Sequence, residues 1–116
     1  MNNLIAFCKL LSDPTRVKII RLLCERPMCV CELMDVLSLN QPCVSQHLTI
    51  LKFHRLLSSR REGKWTVHQI DKKSLKTLAN GLADFFILPL GNMPEFKNEC
   101  NRLEKLQARK DLCKSK

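Results

Sequence analysis

The sequence predicts a mainly helical domain carrying one β-hairpin, and three observations predict it. Apolar residues recur at helical spacing along most of the chain. Two of the helical stretches, VCELMDVL and QPCVSQHLTILKFHRL, are joined only by the short polar connection SLNQ. Directly after them, LLSSRREGKWTVHQID changes to the strand period around Glu62-Gly63, a turn in which Gly supplies the positive φ. Two closely joined helices followed by a hairpin describe a winged helix-turn-helix.

The elements follow in order. NNLIAFCKLLSD sets Leu4, Phe7, Cys8 and Leu11 on one helical face and stops at Asp13-Pro14. Asp13 caps the second helix, Pro14 suits its first position, Val17, Ile20 and Leu23 or Cys24 form its apolar stripe, and Pro27 marks its end. The third helix is VCELMDVL; the fourth opens with Asn40 as cap and Pro42 in its first turn, and turns Val44, Leu48, Leu51 and Arg55 to one side. After the hairpin, Leu75, Leu78, Ala79, Leu82 and Phe86 restore the helical period, and the break at Gly91-Asn92-Met93-Pro94 precedes a last amphipathic or frayed segment. The expected organisation is residues 1–90 as one DNA-binding and dimerisation domain and residues 91–116 as a basic carboxyl-terminal helix or tail.

A chain of 116 residues has room for one modest core, and the apolar first and fifth helices carry more stripe than it can cover, which predicts a homodimer. The net charge of +9 favours a polyanionic partner. The longest apolar run, LADFFILPL, falls short of the ~20 residues of a membrane helix, and no basic-then-apolar leader opens the chain, so the reading is of a soluble, cytoplasmic protein. Seven unevenly spaced cysteines argue for reduced thiols over a disulfide framework. Cys100 and Cys113 read as incidental thiols of the polar tail.

Five basic residues, Lys52, Arg55, Arg60, Arg61 and Lys64, fall within thirteen positions. On a wing tip such charges neutralise phosphates and supply affinity without sequence information. Base reading then falls to the polar face of the fourth helix, where Gln41, Ser45, Gln46, His47, Thr49 and Lys52 stand; Gln pairs bidentately with adenine, while His47 is equally suited to helix packing. His54 and His68 lack a partner at metal-ligand spacing.

LLSDPTRVKIIRLL, CVCEL, LNQPCVSQHLTILKFHRLL and RREGKWTVHQI together resemble, in order and spacing, the ArsR/SmtB arsenical-resistance repressors over residues 4–70. The resemblance implies a homodimeric repressor that binds double-stranded operator DNA and lets go when a metal or metalloid binds. It assigns base reading to Gln41–Leu56, with Ser45 and His47 prominent, the wing to Arg60–Thr66, and inducer binding to Cys29 and Cys31. As(III) or Sb(III) is the implied inducer, with Cd(II), Pb(II) and Zn(II) as alternatives. The family's arsenic pattern has a third Cys where this chain has Met34, a neutral thioether; Cys43, Cys24 and Cys8 stay open as third donor, Cys43 foremost. The related zinc site on the fifth helix uses Asp and His, and residues 71–87 contain no His.

Thiolates select soft ions, and a helix amino terminus favours the thiolate form. Within a continuous helix, however, residues i and i+2 lie ~200° apart, following from ~3.6 residues per turn. Either Cys29 precedes the third helix, or ligand binding unwinds its first turn. Two alternatives keep the thiols but change the function: a redox sensor on the same fold, and a small thiol enzyme. The latter lacks a Cys-x-x-Cys beside a βαβ pattern and a base to activate the nucleophile.

Overall fold

The computed structural model describes residues 1–109; Cys113 and the last part of the expected tail lie outside them. The order is α1 (Asn2–Leu10), α2 (Pro14–Glu25), β1 (Met28–Cys29), α3 (Val30–Leu37), α4 (Gln41–Phe53), β2 (Leu57–Glu62), β3 (Trp65–Ile70), α5 (Lys72–Ile87), two short 3-10 turns and α6 (Lys97–Ala108).

The helix boundaries follow the capping chemistry. Asp13 accepts hydrogen bonds from the Thr15 and Arg16 backbone N–H groups at 2.8 and 3.1 Å, with Pro14 opening α2. Asn40 accepts from the Cys43 N–H at 3.0 Å and starts α4. Between α3 and α4 the chain reverses through Ser38 at φ 55°, a left-handed residue that ends α3.

The core gathers Phe7 and Leu10 of α1, Ile19, Ile20 and Leu23 of α2, Leu33 of α3, and Val44, Leu48 and Leu51 of α4 with Leu56 of the following connection and Leu57 and Ile70 of the sheet. Each such side chain contributes about 1.5–3 kcal/mol on burial. The expected stripes are corrected in α1, where Leu10 is buried and Cys8 and Leu11 are exposed, and in α2, where Ile19 is buried and Val17 is exposed. Phe7, Ile20 and Leu23 are buried as the sequence pattern expects.

The hairpin pairs Leu57 with Ile70 through Glu62 with Trp65, so its two-residue loop is Gly63-Lys64, one position beyond the expected turn. Gly63, at φ 60°, carries the left-handed conformation. A third strand was not expected. β1 pairs antiparallel with β3, Met28 opposite His68 and Cys29 opposite Val67, giving the strand order β1-β3-β2.

The rest of the chain extends from this unit. The radius of gyration is 20.6 Å, against about 13 Å for a compact chain of this length. No residue of α5 or α6 is buried, and Phe86, Ile87 and Leu88 stand more than half exposed.

Candidate nucleic-acid interface and thiol pocket

The core stripe of α4 leaves Gln41, Gln46, Thr49 and Lys52 exposed and Ser45 half-exposed on the far side of the helix. Thr49 spends its hydroxyl proton on the Ser45 carbonyl at 2.9 Å, so its oxygen lone pairs are what it offers outward. Phe53, at the end of α4, is 81% exposed.

His47 is corrected. Its side chain is only 14% exposed, with Nε2 4.0 Å from Asp13 Oδ1 and Nδ1 buried without a protein partner among the described residues. The reason is helical geometry: position 47 follows Val44 by three and precedes Leu51 by four, on the flank of the buried stripe. His47 therefore ties α4 to the cap of α2 and does not share the exposed face. The Arg16 backbone N–H is the main influence holding the Asp13 carboxyl below its ordinary value of 3.8, with His47 among the lesser ones.

On the wing, Arg61 and Lys64 are exposed at the tip. Arg60 is held on the sheet surface, its guanidinium donating to Glu62 at 2.9 Å and to Gln69 at 2.8 Å. On the core-facing side, the Ser59 hydroxyl and His68 Nδ1 are 2.8 Å apart, and burial pushes the His68 imidazole below its ordinary 6.5, with the Lys52 charge adding to it.

The thiols have a defined setting. Cys29 is the N-cap of α3, with extended backbone at φ −85° and ψ 169°, so it precedes the helix while Cys31 lies in its first turn. The Cys29 N–H donates to Glu32 Oε1 at 3.1 Å, and Arg26 pairs with the other carboxylate oxygen. These two bonds, the backbone one foremost, hold Glu32 below its ordinary 4.5.

Cross-strand partners share a face of the sheet, so Cys29 lies with Val67, and Trp65 and Glu62 two pairs further along lie on that face too. Leu57, Ile70 and Met28 occupy the opposite, core-facing side. The outcome is an open pocket of about 360 Å³ lined by Cys29, Cys31, Glu32, Glu62, Trp65 and Val67.

The expected third donor, Cys43, is not brought to this pocket, and no group of three His, Cys, Asp or Glu side chains able to hold a metal occurs among the described residues. β1 directs Cys29 to the outer face of the wing, whereas Cys43 sits in the first turn of α4 beyond the Ser38 reversal. Cys24 lines a different groove, and Cys8 is exposed on α1. Trp65 and Val67 line the same pocket and were not singled out by sequence reasoning. The one signal available was an aromatic residue beside a basic turn.

The family model for bacterial regulatory proteins of the arsR family matches residues 13–59. The chain is 41% identical over 71 residues to the uncharacterized HTH-type transcriptional regulator MJ1325 of Methanocaldococcus jannaschii, covering 60% of this chain and 80% of that protein. It is 41% identical over 63 residues to the arsenical resistance operon repressor of Escherichia coli strain K12, covering 53% of this chain and only 54% of that repressor. Among solved structures, the crystal structure of a possible transcriptional regulator for arsenical resistance superposes with a TM-score of 0.61 at 25% identity, over 68% of this chain and 82% of that one. These proteins are regulators of transcription, which sets the thiol-enzyme reading aside. With its capped helix pair, its wing and these relatives, the chain belongs to the ArsR family of DNA-binding transcriptional regulators.

Proposed function

We propose that this regulator is a cytoplasmic, homodimeric repressor that binds operator DNA and releases it when As(III) or Sb(III) is held by Cys29 and Cys31. Gln41, Ser45, Gln46 and Thr49 read base edges, while Lys52, Arg61 and Lys64 take phosphates. Residues 1–90 act as the DNA-binding and dimerisation unit, and the exposed apolar faces of α1 and α5 meet their counterparts in a second copy.

One observation carries the inducer assignment: Cys29 is at once the cap of α3 and the strand partner of Val67 on the wing. A guest gripped by both sulfurs acts on the helix that packs beneath α4 and on the hairpin that carries Arg61 and Lys64. A dimer reads two half-sites about one DNA turn apart, ~34 Å, so small displacements of these elements weaken binding. A coupling of about 1–3 kcal/mol corresponds to a 5- to 150-fold loss of operator affinity.

The experiment is release of a labelled operator by As(III), Sb(III), Cd(II), Pb(II), Zn(II) and peroxide, with each cysteine changed singly to serine. Release by As(III) or Sb(III), lost in Cys29→Ser and Cys31→Ser and kept in Cys43→Ser, supports the proposal. Release by peroxide alone supports thiol oxidation, and release that needs Cys43 restores it as a ligand.

A further inference from the structure

The proposed base readers leave one side chain of their own helix without a role. Phe53 is 81% exposed and is the one exposed large hydrophobic side chain of α4 among the described residues. At about 100° per residue it lies within ~20° of Gln46 around the helix, with Thr49 ~60° from Gln46. The buried stripe of Val44, Leu48 and Leu51 lies on the opposite side. The ring packs edge-on against His54, centroids 5.2 Å apart, which braces it at the end of the helix. We infer that Phe53 is a specificity-determining residue for DNA that reads the C5-methyl group of a thymine in the major groove.

The inference rests on the reading of α4 as the groove helix and adds a contact of different chemistry to it. A phenyl ring makes no conventional hydrogen bond, so it is blind to the donor and acceptor pattern that Gln46 follows. What the major groove offers an apolar side chain is the thymine methyl, which G·C pairs lack. Spacing agrees: seven residues at ~1.5 Å each put Phe53 about 10.5 Å along the axis from Gln46, or about three base pairs at ~3.4 Å per step.

The surroundings of the ring favour DNA over a protein partner. Its neighbours on the exposed face, Gln46, Thr49 and Lys52, are polar or cationic. A protein-docking surface would be apolar over several adjoining residues, whereas one isolated ring among polar groups suits a polyanion with a single methyl beneath it. Gln46 on adenine and Phe53 on a thymine methyl both select A·T pairs, so each half-site should carry two of them about three steps apart.

The test uses the full-length protein under reducing conditions and an operator that it selects from a random duplex library. Each thymine of the half-sites is replaced in turn by deoxyuridine, which still pairs with adenine and lacks only the C5-methyl. Fluorescence anisotropy gives dissociation constants for the wild type, Phe53→Ala and the Gln46→Ala, Phe53→Ala double variant on these duplexes and on random DNA. Circular dichroism checks helical content, and sedimentation velocity checks oligomeric state without DNA. At one thymine position deoxyuridine should weaken the wild type about fourfold, the worth of one buried carbon, and should cost Phe53→Ala nothing further. Phe53→Ala should bind the unmodified operator at least about fourfold more weakly than the wild type does, and random DNA equally well. Deoxyuridine effects that are absent in the wild type, or that persist in full in Phe53→Ala at every position, overturn the inference; loss of operator preference in the double variant then keeps α4 as the reading helix. A change of oligomeric state in Phe53→Ala without DNA assigns the ring to a protein contact and overturns it as well. A library that yields no preferred sequence, or operator preference undiminished in the double variant, overturns the inference together with the reading of α4.

Discussion

Replacing Ile87 by lysine should break the proposed dimer while leaving the protomer folded. Ile87 ends α5 at 77% exposure beside Phe86 at 75%, on a helix with no buried residue. Fully burying side chains of this kind is worth about 1.5–3 kcal/mol each. With three-quarters of that available at two positions on each of two protomers, the pair supplies about 4–9 kcal/mol of gross association energy. Ile87→Lys removes half of it and places an unpaired charge in the contact, a loss of at least about 2–4 kcal/mol, or roughly 30- to 1,000-fold in the dimer dissociation constant. A lysine in the last turn of α5 complements the helix dipole, so the protomer should keep its stability. Sedimentation velocity across a dilution series reads the equilibrium, circular dichroism checks the fold, and operator affinity should fall in parallel. A wild-type protein that stays monomeric at micromolar concentration, or an Ile87→Lys protein that sediments as the wild type does, refutes the assignment of this face.

The remaining predictions concern the reading head and its support. Asn40→Ala removes the acceptor of the Cys43 N–H and should cost about 1 kcal/mol of stability in urea denaturation, fraying the turn that carries Gln41. Gln46→Ala should weaken the cognate operator by about 1–3 kcal/mol with little change on random DNA, whereas Arg61→Ala and Lys64→Ala should weaken both and each lower the log–log salt slope by about 0.9. His68 favours its neutral form in the fold, so the unfolded chain binds the extra proton first as pH falls; stability should therefore decline as pH drops through 6.5 toward the lower folded value. An imidazole NMR titration with a His68 midpoint at or above 6.5 would contradict this.

Most of the architecture is written in local chemistry. Asp13-Pro14 and Asn40-Pro42 announce helix starts because side-chain caps act within three residues, and the hairpin shows in the switch to alternation after Leu56. The third strand has no such local signature. Met28-Cys29 is two residues long and exists because β3 stands beside it, with Met28 paired to His68 and Cys29 to Val67, 40 and 38 positions further along the sequence. The thiol pocket depends on that pairing, so Cys29 and Cys31 were legible as a pair while their aromatic neighbour was not. The separation of Cys43 from this pocket was hidden for the same reason: spacing along the chain does not say which face of the sheet Cys29 joins. His47 was ambiguous because its position borders the buried stripe, and only the approach of Asp13 decides its direction.

The central claim is that a guest on Cys29 and Cys31 opposes operator binding. It is tested most directly by two dissociation constants measured side by side, for operator with arsenite-free and with arsenite-saturated protein, repeated on the Cys29→Ser, Cys31→Ser double variant. A 5- to 150-fold weaker complex for the loaded wild type, with no change in the double variant, is the predicted result. Equal affinities in the wild type, or an undiminished response without the two sulfurs, would contradict it.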